Sequence, residues 1–130
     1  WKLLEPFYER VHEKVRAVDN DTILFFEPVI DDNVKLGFNK GPGGPGYNDK
    51  QVLSYHIYCG AVDSDGEPND ALVCHAIDLG SFTAKMENMK KLGIAGFLTE
   101  FGAVSNSVKS SDELDYILNM ADGRAQSWSY

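Results

Sequence analysis

Four short apolar runs, each closing on a polar residue, restrict this chain to a narrow set of folds. Thr22 to Phe26 ends at Glu27-Pro28, Gln51 runs to Tyr58, the run from Ile94 meets Glu100, and Gln126 begins a run to Tyr130. Short apolar runs bounded by turn signals suit strands buried on both faces, although periodicity alone leaves a buried helix open. Pro28 has no N–H to give a ladder and suits a strand terminus. Helical patterns occupy the intervals. Leu4, Phe7, Tyr8, Val11, Val15 and Val18 recur at helical spacing and predict a helix from Glu5 to Val18. Ser81 to Leu92 carries Phe82, Met86, Met89 and Leu92 on one face, with Gly93 as its C′ residue. Ser110-x-x-Glu113 has the form of a capping box for a helix bearing Leu114, Ile117, Leu118 and Met120.

Strands alternating with helices favour a parallel sheet. The strand ends at Glu27, Tyr58, Glu100 and Tyr130 are separated by 31, 42 and 30 residues. A (β/α)8 barrel of about 250 residues allots about 31 to each unit. Four strands therefore predict a partial barrel, with a small open doubly wound sheet as the alternative. Residues 29–50 form a long loop around Gly41-Pro42-Gly43-Gly44-Pro45-Gly46, which lacks the Gly-Lys-Ser/Thr ending of a phosphate-binding loop. Asp63 to Asp70 resembles a calcium loop only superficially: its glycine stands fourth rather than sixth, so a solvated turn is expected.

At 130 residues and 43% hydrophobic content, the chain has enough apolar bulk for one core. Its net charge of −8 argues against nucleic acid or an anionic membrane surface as partner, and no apolar run is long enough to span a bilayer. The chain begins at Trp1 without methionine and stops inside an expected strand, which predicts a piece of a longer polypeptide. Cys59 and Cys74 flank the acidic turn. They are either two buried thiols or a disulfide, the latter implying an oxidising compartment. A metal site normally needs more ligands at closer spacing.

Glu100 ends its strand where parallel α/β folds place their chemistry. His56 and Tyr58 end the preceding strand, and Trp128 lies in the last. Retaining glycoside hydrolysis needs a nucleophilic carboxylate and a second, acid/base carboxylate about 5–5.5 Å away. A tyrosine hydroxyl can hold the nucleophile, and an aromatic face suits a sugar ring. Taken singly these signals are weak. A lone histidine is more often structural, a lone tryptophan more often core, and a strand-end acid can simply face solvent.

Three segments carry a resemblance. Phe97-Leu98-Thr99-Glu100-Phe101-Gly102-Ala103, preceded by Tyr55-His56-Ile57-Tyr58-Cys59, resembles the endoglycoceramidase group of glycoside hydrolase family 5. So does the stretch from Pro6-Phe7-Tyr8-x-Arg10-Val11 through Val15-Arg16-Ala17-Val18-Asp19 to Phe25-Phe26-Glu27-Pro28. The resemblance implies a (β/α)8 barrel from the helix before the fifth strand through the eighth strand. It also implies retaining cleavage of the bond between oligosaccharide and ceramide in a glycosphingolipid. Glu100 matches the nucleophile, His56 and Tyr58 the sixth-strand pair, and Trp128 the tryptophan under the sugar. Glu27 is the tempting acid/base, but the family carries that residue in an Asn-Glu-Pro on the fourth strand, and Phe26 stands where Asn is required. The resemblance places Glu27 on the fifth strand, lining the cleft, and the acid/base upstream of Trp1. No metal or organic cofactor is implied. The expected partners are a glycosphingolipid or other glycoside and the N-terminal half of the barrel, and the expected location is secreted or a lysosomal or endomembrane lumen. The isolated segment is expected to be inactive. A β-glucan or mannan endoglycosidase and a non-catalytic half-barrel module are the other readings.

Overall fold

The computed structural model describes residues 3–29, 37–102 and 105–130. Trp1, residues 30–36 of the expected loop and Ala103 lie outside the described residues. Helix α1 spans Leu4–Arg16 and stops short of Val18. The Arg16 guanidinium ends it by donating to the carbonyls of Asp19, Thr22 and Lys50 at 3.1, 2.8 and 3.1 Å. Asp19 adds a tight turn: its carboxylate accepts from the Asp21 and Thr22 N–H groups and from the Thr22 hydroxyl. Thr22 is thus held in the turn, and the first strand, β1, begins only at Leu24 and runs Leu24–Phe26.

Three further strands follow: β2 (Gln51–Ile57), β3 (Ala95–Phe101) and β4 (Ser127–Trp128), the last shorter than the expected run to Tyr130. All neighbours are parallel, and the spatial order is β1-β2-β3-β4. A doubly wound sheet reverses its order at a switch point. Here sequence order equals spatial order, which overturns that alternative and matches consecutive βα units of a barrel.

Alternation gives the sheet two faces. Phe26, Leu53, Tyr55, Ile57 and Leu98 are buried in the core with Phe82, Met89 and Leu92 of helix α2 (Ala71–Leu92). Ile117, Met120 and Ala121 of helix α3 (Val108–Asp122) complete that layer. Gly96 lets α2 seat closely, because a Cβ there would lie 1.9 Å from the Met89 sulfur. The other face carries Phe25, Val52, Ser54 and Phe97. Phe25 meets Phe97 edge-on at 5.9 Å, and the Ser54 and Thr99 hydroxyls are 2.7 Å apart.

Helix α2 starts at Ala71 rather than Ser81. Asp70 caps it, accepting from the N–H groups of Leu72 and Val73. Its first half hides from periodicity because Leu72, Val73 and Leu79 are exposed while Cys74 and Asp78 are buried. Cys59 and Cys74 are disulfide-bonded, Cα to Cα 5.1 Å, which ties the end of β2 to the start of α2 and overturns the free-thiol reading. Closing a loop of this length stabilises the fold by about 3 kcal/mol through the unfolded chain. Within the loop, the Asp63 carboxylate accepts from the Asp65 and Glu67 N–H groups, as a solvated turn requires. The α3 cap is also corrected. Ser107 caps that helix through the Ser110 N–H, and Glu113, expected to cap, is buried instead.

Candidate active site

The register between β2 and β3 decides where Glu100 points. Tyr55 pairs with Leu98 but His56 pairs with Glu100, so Thr99 is an extra residue on β3. In a regular strand Glu100 would share the face of Leu98 and enter the apolar layer beneath the helices. The bulge turns it onto the open face beside His56, the re-aiming for which such irregularities are known next to active sites. Gly102 follows at φ +86°, a left-handed conformation that ends the strand at little cost.

Four of the expected residues converge there. His56 Nδ1 lies 3.4 Å from Glu100 Oε2, and its Nε2 lies 3.2 Å from Glu27 Oε1. Tyr58 donates its hydroxyl to the same Glu100 Oε2 at 3.0 Å. Burial, and then that hydrogen bond, push the Tyr58 phenol above its ordinary value, so it stays protonated and remains a donor. The Glu100 side chain is 56% exposed and that of His56 only 13%. Glu27 is fixed from behind, its N–H donating to the Tyr8 hydroxyl at 3.0 Å. The arrangement offers an accessible carboxylate with one oxygen engaged twice and the other, Oε1, available for reaction.

Trp128 is not brought to this group. It pairs in register with Leu98, whose side chain faces the helices, so Trp128 shares that side. Its indole N–H donates to Asp122 at the end of α3 at 3.2 Å, and its ring meets Phe101 edge-on. Tyr130, which the sequence reading passed over, lies closer to the group. It packs edge-on against Phe101, a Cβ at Gly102 would lie 3.1 Å from its ring, and its hydroxyl is near enough to Tyr58 to influence that phenol. No pattern in the sequence marks it, since its place follows from the pairing of β4 with β3.

A second histidine–carboxylate group lies between α2 and α3. Asp78 and Glu113 are 0% and 2% exposed, and no hydrogen bond of ordinary geometry reaches their carboxyl oxygens. His75 Nε2 stands 3.7 Å from both Asp112 and Glu113, too far to hydrogen-bond, with its ring stacked on Tyr116 at 3.8 Å. Burial, and then the adjoining Glu113 carboxyl, push Asp78 up to about 8. Among the described residues, the metal-type ligand atoms that cluster within 4.8 Å are those of Cys59, Cys74 and Glu113. The two sulfurs are bonded to each other, so only the Glu113 carboxylate is left as a ligand.

The family model for cellulase (glycosyl hydrolase family 5) matches residues 1–130. The chain belongs to glycosyl hydrolase family 5. It is 34% identical over 125 residues to an endoglycoceramidase of Cyanea nozakii, covering 96% of this chain and 22% of that protein. It is 34% identical over 125 residues to an endoglycoceramidase of Hydra vulgaris, covering 96% of this chain and 21% of that protein. The chain thus spans about a fifth of the length of these relatives. No solved structure matches it. Family 5 membership fits the strand order: the four strands form one arc of a (β/α)8 barrel. No described helix is long and apolar enough to cross a membrane.

Proposed function

We propose that the polypeptide carrying this segment is a retaining glycoside hydrolase of endoglycoceramidase type, with Glu100 as nucleophile. The observation that carries the reading is the bulge at Thr99, which turns Glu100 out of the apolar layer onto the open face. Tyr58 and His56 both engage Oε2, which leaves Oε1 to attack the anomeric carbon. The new bond forms as the bond to the ceramide oxygen breaks, and a second carboxyl group gives that oxygen its proton. Water then attacks the same carbon, passing its proton to that second carboxylate, and the bond to Oε1 breaks with its electrons returning to Glu100.

Glu27 does not suit the second role. The His56 ring stands between the two carboxylates, whereas a retaining pair about 5–5.5 Å apart must hold the glycosidic bond between them. We therefore assign the acid/base to chain upstream of Trp1, in the N-terminal half of the barrel, and expect the isolated segment to be inactive. The names of the two relatives support glycosphingolipid as substrate, while the cellulase description of the family model supports a β-glucan. The disulfide supports an oxidising location, secreted or luminal.

The test is hydrolysis of a fluorescent glycosphingolipid and of a soluble β-glucan by the full-length polypeptide and its Glu100→Gln variant. Cleavage of the glycolipid that vanishes in the variant supports the proposal. Cleavage of the glucan alone changes the substrate, and cleavage indifferent to Glu100 overturns the assignment.

A further inference from the structure

The turn between α1 and β1 carries a motif that the glycosidase chemistry leaves unused. Asn20-Asp21-Thr22 is the one Asn-x-Ser/Thr sequence in the 130 residues, and its middle position is not proline. Such a sequence accepts an N-linked glycan when the chain enters the secretory lumen and the asparagine ends on the surface. All three residues are exposed, and the Asn20 side-chain amide makes no hydrogen bond among the described residues. The turn is held through other groups. Arg16 donates to the carbonyls of Asp19 and Thr22, and Lys50 Nζ donates to the Asn20 carbonyl at 2.6 Å. The Asp19 carboxylate accepts from the Asp21 and Thr22 N–H groups. A sugar on the Asn20 side chain therefore breaks none of the contacts that shape the turn.

Its place on the barrel also suits a bulky group. The turn feeds the N-terminal end of β1, whereas Glu27, His56 and Glu100 stand at or just beyond the C-terminal ends of their strands. A glycan at the turn leaves that face open. Val18, two residues before Asn20, is 88% exposed, and Ile23, three residues after it, is 51% exposed. A hydrated oligosaccharide between them shields this apolar surface. The Cys59–Cys74 disulfide points to the same compartment, because disulfides also belong to the oxidising lumen.

We propose that Asn20 is an N-glycosylation site, modified as the chain enters the secretory lumen. The inference rests on the luminal location and is independent of the role of Glu100. The Asn20 amide nitrogen attacks the anomeric carbon of an oligosaccharide borne on a lipid pyrophosphate. The carbon–nitrogen bond forms as the bond from that carbon to the pyrophosphate oxygen breaks. The lipid pyrophosphate leaves with that electron pair, and the amide proton passes to a base of the transferase. The transferase reads the hydroxyl of the third residue. In the folded turn the Thr22 hydroxyl donates to Asp19, so transfer precedes closure of the turn.

The test is peptide mapping of the full-length polypeptide recovered from cultured animal cells, with and without peptide N-glycosidase. The tryptic peptide 17–35 should carry a glycan, and the glycosidase should release it and leave aspartate in place of Asn20. Asn20→Gln and Thr22→Ala should each lose the glycan, whereas Thr22→Ser, which keeps the hydroxyl, should retain it. Hydrolysis by the Asn20→Gln polypeptide should equal that of the wild type. A bare Asn20 in a polypeptide whose Cys59–Cys74 bond has formed overturns the proposal and leaves the luminal location standing. A bare Asn20 with both thiols free overturns both. A glycan on peptide 17–35 that survives Asn20→Gln also overturns the assignment.

Discussion

Two histidines in this molecule each stand near two carboxylates, and their surroundings set them apart. His56 lies at the strand ends, its nitrogens 3.2 and 3.4 Å from Glu27 and Glu100, with the Glu100 side chain half in solvent and held by Tyr58. His75 lies between α2 and α3, 3.7 Å from its carboxylates, while Asp78 and Glu113 are buried side by side. The first group is satisfied and accessible, as a reactive site needs to be. The second carries the cost of burying two adjoining carboxyl groups, which keeps Asp78 protonated well above its ordinary range. Residue types alone do not distinguish a site from a structural liability; contact distance and exposure do.

The comparison breaks most visibly at the level of turnover. Glu100→Gln is expected to lower hydrolysis by the full-length polypeptide on the order of 10⁴-fold while leaving its thermal midpoint almost unchanged. Asp78→Asn should leave turnover as it was. A large loss in the Asp78 variant with its fold intact would erase the distinction between the two groups.

Next in size is the disulfide beside Glu113. Replacing Cys59 and Cys74 together by serine should cost about 3 kcal/mol in urea unfolding, since the bond ties the end of β2 to α2. Stability indifferent to the replacement would show that the unfolded chain gains nothing from the released loop.

Asp78 supplies the pH dependence. Its folded value, pushed up to about 8, lies above the ordinary 3.8. Below about 4 the group is protonated in both the folded and the unfolded chain and costs nothing. Between about 4 and 8 the unfolded chain releases that proton and the folded chain keeps it, so stability falls as pH rises. Urea midpoints should therefore decline across this window. Asp78→Asn, whose amide can donate to Glu113, should flatten the decline and add about 1–3 kcal/mol at pH 7. A variant with the wild-type slope would remove Asp78 as its cause.

The smallest effect concerns α3, which carries Glu113. Ser107→Ala should cost about 1 kcal/mol by removing the cap from the Ser110 N–H. Chemical denaturation that found no loss would return the cap to Ser110, where the sequence pattern alone had placed it.

Much of the frame is legible in the sequence. The apolar runs at Gln51 and Ile94 are strands, and the strand-end spacing gave consecutive βα units. His56, Tyr58 and Glu100 are in contact as their positions implied. What stayed hidden depended on pairing between distant segments. Glu100 reaches the open face only through a bulge, and a sequence carries no mark of one extra residue in a ladder. Trp128 looked like a platform for sugar, but its pairing with Leu98 turns it toward the helices. Glu113 matched a capping box by spacing, yet the cap is Ser107, three residues before Ser110, and the helix buries Glu113. The first half of α2 escaped because Asp78 and Cys74 occupy its buried side where leucine and valine were expected.

The role of Glu100 itself can be read from one bond. A fluorinated glycoside that forms the intermediate faster than it releases it should label the full-length polypeptide once. Mass spectrometry of the digested protein should then place the sugar on the peptide holding Phe97 to Gly102, on Glu100. A sugar found on Glu27, or on any other carboxylate, would contradict the site described here.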